Sequence, residues 1–312
     1  MSAASAERDP AKEYVSLTQN FADRLWRYPA CHAVVHRFIA TPLTPNHVTA
    51  GHTLVAFASA ALLYRDDPRL SFLAGALLEF RAVADCFDGV LARAKKLSSP
   101  YGRALDQLGD TLGFSAVMLV AALISTRHHG PVLGWGVVLA LSLLSAIATT
   151  CWDFYRRRFI SLLENGRDEV EDEYVQLARH LSQKPSVALR WSWFVSNFQL
   201  VFFSPSAIPR LRARIDAGDT GEVAEGAAPT PIARSLRARV AAGDPELRRA
   251  VTSVGFTGAD AVFLIVAASA FVNDLFLGCA LGCVYAVVTT VRTASVCNRA
   301  LSETSAAQGL QA

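Results

Sequence analysis

The chain has 312 residues, 52% of them hydrophobic and 18% charged, where an ordinary soluble domain carries roughly 25% charged residues. That balance and a mean hydropathy of +0.28 exclude a chain disordered throughout, a collagen-like fibre and a disulfide-stapled secreted module; they leave room for six apolar segments of about 20 residues, the length that crosses a bilayer. The net charge of +3, with 30 Lys and Arg that flank apolar runs rather than line one face, argues against a dedicated nucleic-acid binder.

In chain order, Met1 to Lys12 is polar and has no apolar core of a signal peptide, so the first span is expected to act as its own insertion signal. From Leu17 to Ile39 an apolar stripe (Leu17, Phe21, Leu25, Trp26, Val34, Val35, Phe38) faces away from Arg24, Arg27 and Arg37, which predicts an interfacial helix interrupted at Pro29. The turn from Thr41 to Asn46 follows, with Thr44 or Asn46 as cap of the next helix. Six spans are predicted at about Val48–Tyr64, Leu70–Leu91, Leu105–Ile124, Pro131–Thr150, Val254–Val272 and Leu275–Val296. Between the fourth and fifth lie Arg156-Arg157-Arg158, an acidic run from Glu164 to Glu173, and an aromatic patch from Trp191 to Phe203 that is too short to cross and reads as interfacial or re-entrant. The string Leu211-Arg-Ala-Arg-Ile-Asp-Ala-Gly-Asp219 recurs nearly intact as Leu236-Arg-Ala-Arg-Val-Ala-Ala-Gly-Asp244. The link from Gly221 to Pro231 reads as flexible, and the two basic arms are expected on an anionic membrane surface. The six cysteines form no CxxC pair and read as free thiols.

The expected fold is an all-α, polytopic bundle of six transmembrane helices with an N-terminal interfacial helix and a cytoplasmic insertion. Its segments are 1–46 (juxtamembrane), 47–155 (spans one to four), 156–250 (insertion) and 251–312 (spans five and six with the tail). Lys and Arg number five before Val48, four from Arg93 to Arg103 and fifteen from Arg156 to Arg249, against three on the other side. This places both termini on the cytoplasmic side.

Chemistry concentrates where the second span ends and the third begins. Asp85 and Asp88 are spaced i, i+3, and Asp106 and Asp110 i, i+4, so each pair projects from one helix face and two neighbouring helices can converge four carboxylates. Each charge in a span costs about 2.5–3.5 kcal/mol on insertion scales, so such a cluster calls for neutralising cations. Oxygen-only ligands select Mg²⁺ or Mn²⁺, and ions of this kind at a membrane face are suited to holding a diphosphate. Gly89 and Ala92 leave room for a ligand beside the acids, Arg93 adds a positive charge for a phosphate or anchors the span at headgroups, and a fourth carboxylate can take a proton from an alcohol.

Further candidates carry alternatives. Glu79 and Arg81 lie deeper in the second span, Arg81 either pairing with Asp85 four residues on or meeting an acceptor phosphate. Arg292 in the last span is an acceptor ligand or a snorkelling anchor. Lys95, Lys96 and Arg103 steer an anionic donor or set topology. Asn46 and Thr49 reach a nucleotide or cap a helix. His52 reads as a hydrogen-bonded interior histidine, and His128 and His129 as a solvated pair.

The string Asp85-x2-Asp88-Gly89-x2-Ala92-Arg93-x8-Gly102-x3-Asp106-x3-Asp110 resembles the signature of the CDP-alcohol phosphotransferase (CDP-alcohol phosphatidyltransferase) family, with each spacing kept. Thr44-Pro-Asn-x-Val-Thr49 and the six-span layout extend the likeness to about two thirds of the chain, residues 156–250 excepted. The resemblance implies a homodimer and transfer of a phospho-group from a CDP-linked donor to an alcohol acceptor, with release of CMP. Two divalent ions, Mg²⁺ or Mn²⁺, would be held by Asp85, Asp88, Asp106 and Asp110. Asp110 would serve as base, Gly89 and Ala92 would make room for the nucleotide, and Arg93 and Gly102 would complete its site. A CDP-diacylglycerol donor and phospholipid synthesis in a bacterial inner membrane are the expectation, with a soluble CDP-alcohol such as CDP-choline or CDP-ethanolamine as alternative donor. From another class, intramembrane acids also mark cation-coupled transporters, and the insertion would suit a non-catalytic scaffold.

Overall fold

The computed structural model describes residues 10–183, 186–221 and 228–306, and among these every regular element is helical. In chain order they are α1 (Pro10–Leu17), α2 (Tyr28–Val34), α3 (Pro45–Tyr64), α4 (Pro68–Ala94), α5 (Pro100–His129), α6 (Pro131–Ile160), α7 (Glu169–Gln183), α8 (Val187–Phe203), α9 (Ile208–Asp216), α10 (Pro231–Ala241), α11 (Pro245–Val254), α12 (Ala259–Ala270) and α13 (Leu275–Ala306). The starts follow a local rule. Thr44-Pro45, Asp67-Pro68, Ser99-Pro100, Thr230-Pro231 and Asp244-Pro245 each place an oxygen-bearing cap before a proline in the first turn, where the missing proline N–H costs nothing. Of the two cap candidates before α3 it is Thr44 that serves: its hydroxyl accepts from His47 N at 3.3 Å while its own N–H donates to His47 Nδ1.

The chain divides into two compact units, one of Asn20–Ile147 and Gly258–Val288, the other of Met1–Gln19, Ala148–Thr257 and Thr289–Ala312. In the first, α3 packs along both α4 and α5, and α2 and α12 pack on α4. The expected break at Pro29 does not occur. The proline sits in the first turn of α2, preceded by one wide turn at Asp23–Arg27 that eases the chain past its ring. That turn delivers Arg27, 3% exposed, to Glu79 on α4 through Nε–Oε1 and Nη2–Oε2 contacts of 3.0 and 2.9 Å. Burial works against the guanidinium's charge, but the hydrogen bonds and charge of Glu79, with Asp23, outweigh it and raise the Arg27 pKa.

Among the described residues, three helices are long and apolar enough to cross a membrane: Leu105–His129, Pro131–Asn165 and Leu275–Ser302. A fourth is possible if Pro245–Val254 and Ala259–Ala270, bent by 60°, form one broken span. The first two predicted spans fall in α3 and α4, whose 20 and 27 residues reach about 30 and 40 Å at 1.5 Å per residue. Their composition is what sets them apart: α3 opens with Asn46, His47, Thr49, His52 and Thr53, and α4 contains Glu79, Arg81, Asp85 and Asp88. Large apolar side chains stand exposed on α6 (Leu139, Leu143) and α13 (Val284, Val288, Val291), a pattern suited to lipid.

In the second unit the acidic run and the arginines meet one another. Arg158, 5% exposed, binds Asp168 at 2.6 Å and Glu171 at 3.0 Å, Arg210 also reaches Glu171, and Arg214 binds Asp172 at 2.7 Å. Burial and then the neighbouring Asp168 push the Glu171 carboxyl above its ordinary range. The repeated string forms the same device twice. Leu211 and Leu236 are buried, Gly218 and Gly243 take left-handed φ of 77° and 66°, and Arg214 and Arg239 each fold back on the closing aspartate, Asp219 at 2.7 Å and Asp244 at 2.6 Å. Burial raises Asp244, but Arg239 and the α11 backbone N–H groups hold it below its usual range. Arg237 donates to the carbonyls of Leu163 and Glu164. Arg214, Arg237 and Arg239 of the two basic arms therefore bind protein groups. The link from Gly221 falls mostly outside the described residues, as do residues 1–9. All six cysteines are unpaired.

Candidate active site

Helix α4 ends and α5 begins around a short connection, residues 95–99. Lys95 pins it by donating to the carbonyls of Thr41 and Leu43, each at 2.7 Å, and Ser99 caps α5 through Gly102 N at 3.0 Å. Lys95 thus ties this loop to the chain just before α3; the side chain of Arg103 lies outside the described residues, as does that of Trp191. With α3 laid along both helices, its Asn46–Thr49–His52 face turns toward their acids.

Three of the four aspartates gather around His52. Its Nε2 lies 3.4 Å from Asp88 Oδ2, 3.7 Å from Asp85 Oδ1 and 3.7 Å from Asp106 Oδ1, and one ligand atom from each of these four residues lies within 4.8 Å of the others. Asp88 is 6% exposed and receives the Thr49 hydroxyl at 2.5 Å. Thr49 in turn is buried and also donates to Pro45 O. Among the described residues, the buried ring nitrogens of His52 and Oδ1 of Asp106 have no hydrogen-bond partner. Converging carboxylates with orphaned buried ligand atoms are what a divalent cation would complete, so the donor set fits such an ion.

Asp110 is held differently. It forms an ion pair with Arg81 Nη2, and the Arg81 guanidinium carbon also sits 5.7 Å from the Phe263 ring centroid on α12. Arg81 therefore engages the fourth acid of the motif instead of Asp85, its neighbour one turn along the same helix.

Beside the acids is a cavity of about 340 Å³ lined by Pro45, Asn46, Thr49, Asp88, Gly89, Ala92, Arg93, Leu97, Ser98, Ser99, Gly102 and Asp106. It brings together Asn46, Thr49, Gly89, Ala92, Arg93 and Gly102, the six positions assigned to a nucleotide, with two of the acids. A side chain at Gly89 would meet nothing closer than the Arg93 guanidinium at 3.6 Å, so the glycine keeps volume in the cavity rather than relieving a clash. Arg292 belongs to the other unit, where it lines a cavity of about 420 Å³ with Arg248, Arg249, Thr252, Ser253 and Phe256 among others. In the predicted external turn His128 is not merely solvated: it contacts Asp66 at 2.6 Å, and His129 stacks on Phe276.

The approach of α3 to α5 depends on two glycines of α5, Gly109 facing Thr53 and Gly113 facing Ala56. A Cβ at Gly109 would lie 2.4 Å from Thr53 Oγ1, closer than atoms pack, so the two helices must part or Thr53 must turn. We expect Gly109→Ala to lower activity at least tenfold and stability by about 1–3 kcal/mol. Adding Thr53→Ala, which deletes the atom met, should restore most of both. Activity assays and thermal unfolding of the single and double variants check this; no rescue would place the defect elsewhere.

His52, expected as a hydrogen-bonded interior histidine, is interior, but among the described residues its ring nitrogens have no hydrogen-bond partner and Nε2 faces three carboxylates instead. Its only local signal is its spacing, three residues after Thr49 on the same face of α3.

Compared with known proteins, residues 42–164 match the sequence model of the CDP-alcohol phosphatidyltransferase family. No curated protein sequence matches the chain. The matched segment holds all four aspartates, His52 and the whole cavity lining. Members of the family use divalent metal ions, in keeping with the donor set found here. Residues 42–164, the segment that carries the site, are therefore similar to the CDP-alcohol phosphatidyltransferase family, a family of transferases of phosphate-containing groups.

Proposed function

We propose that the protein is a six-span membrane enzyme, homodimeric and with its active site on the cytoplasmic side of a bacterial inner membrane, that moves a phosphatidyl group from CDP-diacylglycerol to an alcohol in phospholipid synthesis. The observation that carries the reading is the cavity in which Asn46, Thr49, Gly89, Ala92, Arg93 and Gly102 stand together with Asp88 and Asp106. A lipid-linked donor is supported by exposed apolar side chains on the site helices, Leu54 and Phe57 on α3, Phe80 on α4 and Leu108 and Leu112 on α5, which put these helices in contact with acyl chains.

In this reading Asp85, Asp88 and Asp106 hold divalent ions, Mg²⁺ or Mn²⁺, which when bound neutralise the donor's diphosphate and stabilise the leaving CMP. Arg93 meets a phosphate, Gly89 and Ala92 leave space for the nucleotide, and Asn46 and Thr49 contact it. Asp110, oriented by Arg81, accepts the proton of the acceptor hydroxyl. The acceptor oxygen bonds to the phosphorus that carries the diacylglycerol, the bond from that phosphorus to the bridging oxygen breaks, and CMP departs with the electron pair.

Protein in lipid vesicles, given CDP-diacylglycerol labelled in its acyl chains, should pass the label to a new phospholipid when one alcohol of a panel is added. Transfer from CDP-choline to diacylglycerol instead would reverse the donor assignment. Asp110→Asn should cut transfer by about a thousandfold while nucleotide binding, followed by calorimetry, stays measurable; full activity in that variant would remove Asp110 as the base.

A further inference from the structure

His52 is not a position of the family signature, yet it is the centre of the acidic cluster. Its side chain is fully buried on α3, the helix that lies along both acid-bearing helices. Neither ring nitrogen has a hydrogen-bond partner. A buried imidazole without partners is costly, and the spacing around it explains why the carboxylates do not serve. At 3.4, 3.7 and 3.7 Å the three oxygens are beyond the usual 2.7–3.2 Å of an N–H···O bond.

Those separations are what ligands of a shared ion show. Around a cation bonded at about 2.0–2.2 Å, neighbouring ligand atoms stand roughly 3 Å apart and opposite ones roughly 4.2 Å. The four ligand atoms of His52, Asp85, Asp88 and Asp106 all lie within 4.8 Å of one another, and Asp106 Oδ1 is orphaned along with the imidazole. Asp110 is outside this set because Arg81 holds it.

We propose that His52 Nε2 is a direct ligand of one divalent ion together with Asp85, Asp88 and Asp106, and that this nitrogen makes the site prefer Mn²⁺ to Mg²⁺. The proposal rests on the reading of the aspartates as metal ligands. Mg²⁺ is a hard ion that favours oxygen and retains its waters, whereas imidazole suits first-row transition metals, whose affinities rise from Mn²⁺ along the series. A site of carboxylates alone would lack this discrimination. One imidazole among three carboxylates also lowers the negative charge gathered inside the span without removing a ligand.

The test uses full-length protein in detergent or lipid nanodiscs loaded with Mn²⁺ alone. Pulsed electron paramagnetic resonance of the bound Mn²⁺ should show coupling to a ¹⁴N nucleus, and protein grown with ¹⁵N-histidine should show the corresponding ¹⁵N coupling. His52→Gln and His52→Asn should lose the coupling, weaken Mn²⁺ binding about tenfold or more, and narrow the Mn²⁺/Mg²⁺ preference read by competition. Mn²⁺ that binds to the wild type without nitrogen coupling, or with a coupling that persists in both variants, overturns the role of His52 and leaves the aspartate site standing. Failure of Mn²⁺ to bind at all overturns both. The wild-type spectrum decides even if neither variant folds.

Discussion

Asp88→Asn should lower CMP release by about a thousandfold, close to 4 kcal/mol at 1.36 kcal/mol per tenfold, while leaving the protein folded. Asp88 is the most buried of the four acids at 6% exposure. It receives the Thr49 hydroxyl, faces His52 and lines the cavity, so it joins the metal-binding cluster to the nucleotide side of the site. Asparagine keeps the shape and can still accept from Thr49, but it removes the charge that a cation needs. Because like charges are crowded here, losing one should leave the unfolding temperature unchanged or higher in metal-free buffer. The discriminating measurement is the pair of values: CMP release and unfolding temperature for wild type and variant. Activity within tenfold of wild type would show that Asp88 does not hold the ion, and a matching collapse of stability would mark a structural role.

The largest stability effect is expected nine residues before Asp88, at Glu79 in the middle of α4. Glu79→Ala removes both oxygens that hold Arg27 and the acceptor of Trp26 Nε1 at 2.7 Å. Asp23, at 3.1 Å, is the ion pair left to Arg27. Stranding a guanidinium that is 3% exposed should cost about 3 kcal/mol, a large share of the roughly 5–15 kcal/mol that usually holds a fold together. Removing both charges is a different experiment. The double variant Arg27→Met with Glu79→Leu should recover most of the loss, because apolar side chains of similar volume replace a pair whose desolvation offsets much of its attraction. Denaturant midpoints in detergent for Arg27→Met, Glu79→Leu and the double form the cycle that measures this. A Glu79→Ala midpoint equal to wild type would mean that Asp23 alone suffices and that the N-terminal segment does not depend on α4.

Much of the site was legible because its signals are local. The i, i+3 and i, i+4 spacings fix which helix face carries the acids, and Lys95 and Ser99 fix the short connection between α4 and α5, both of which pack along α3. Helix starts could be read from Thr-Pro, Asp-Pro and Ser-Pro pairs. What escaped depends on partners distant in sequence. Helical spacing pointed Arg81 at Asp85, but the packing of α5 and α12 directs it to Asp110 and Phe263. A lone histidine on an apolar helix gives no sign that three carboxylates from two other helices surround it. Nothing local shows that Arg158, Arg210 and Arg214 meet Asp168, Glu171 and Asp172, since each pairing closes across separate segments of the insertion. Pro29 was taken as a break because proline in a helix interior disrupts it, whereas here it falls in a first turn. The number of spans is blurred by function itself, since the residues that make α3 and α4 a site are those that lower their hydropathy.

The most direct test of the central claim is CMP release by the purified protein in lipid vesicles containing CDP-diacylglycerol, with an acceptor panel, in chelator and then with Mg²⁺ or Mn²⁺ restored. The account predicts no release in chelator, release on adding either ion with one acceptor, and none at all from Asp106→Asn. Release that persists in chelator, or that is unchanged in Asp106→Asn, would contradict it.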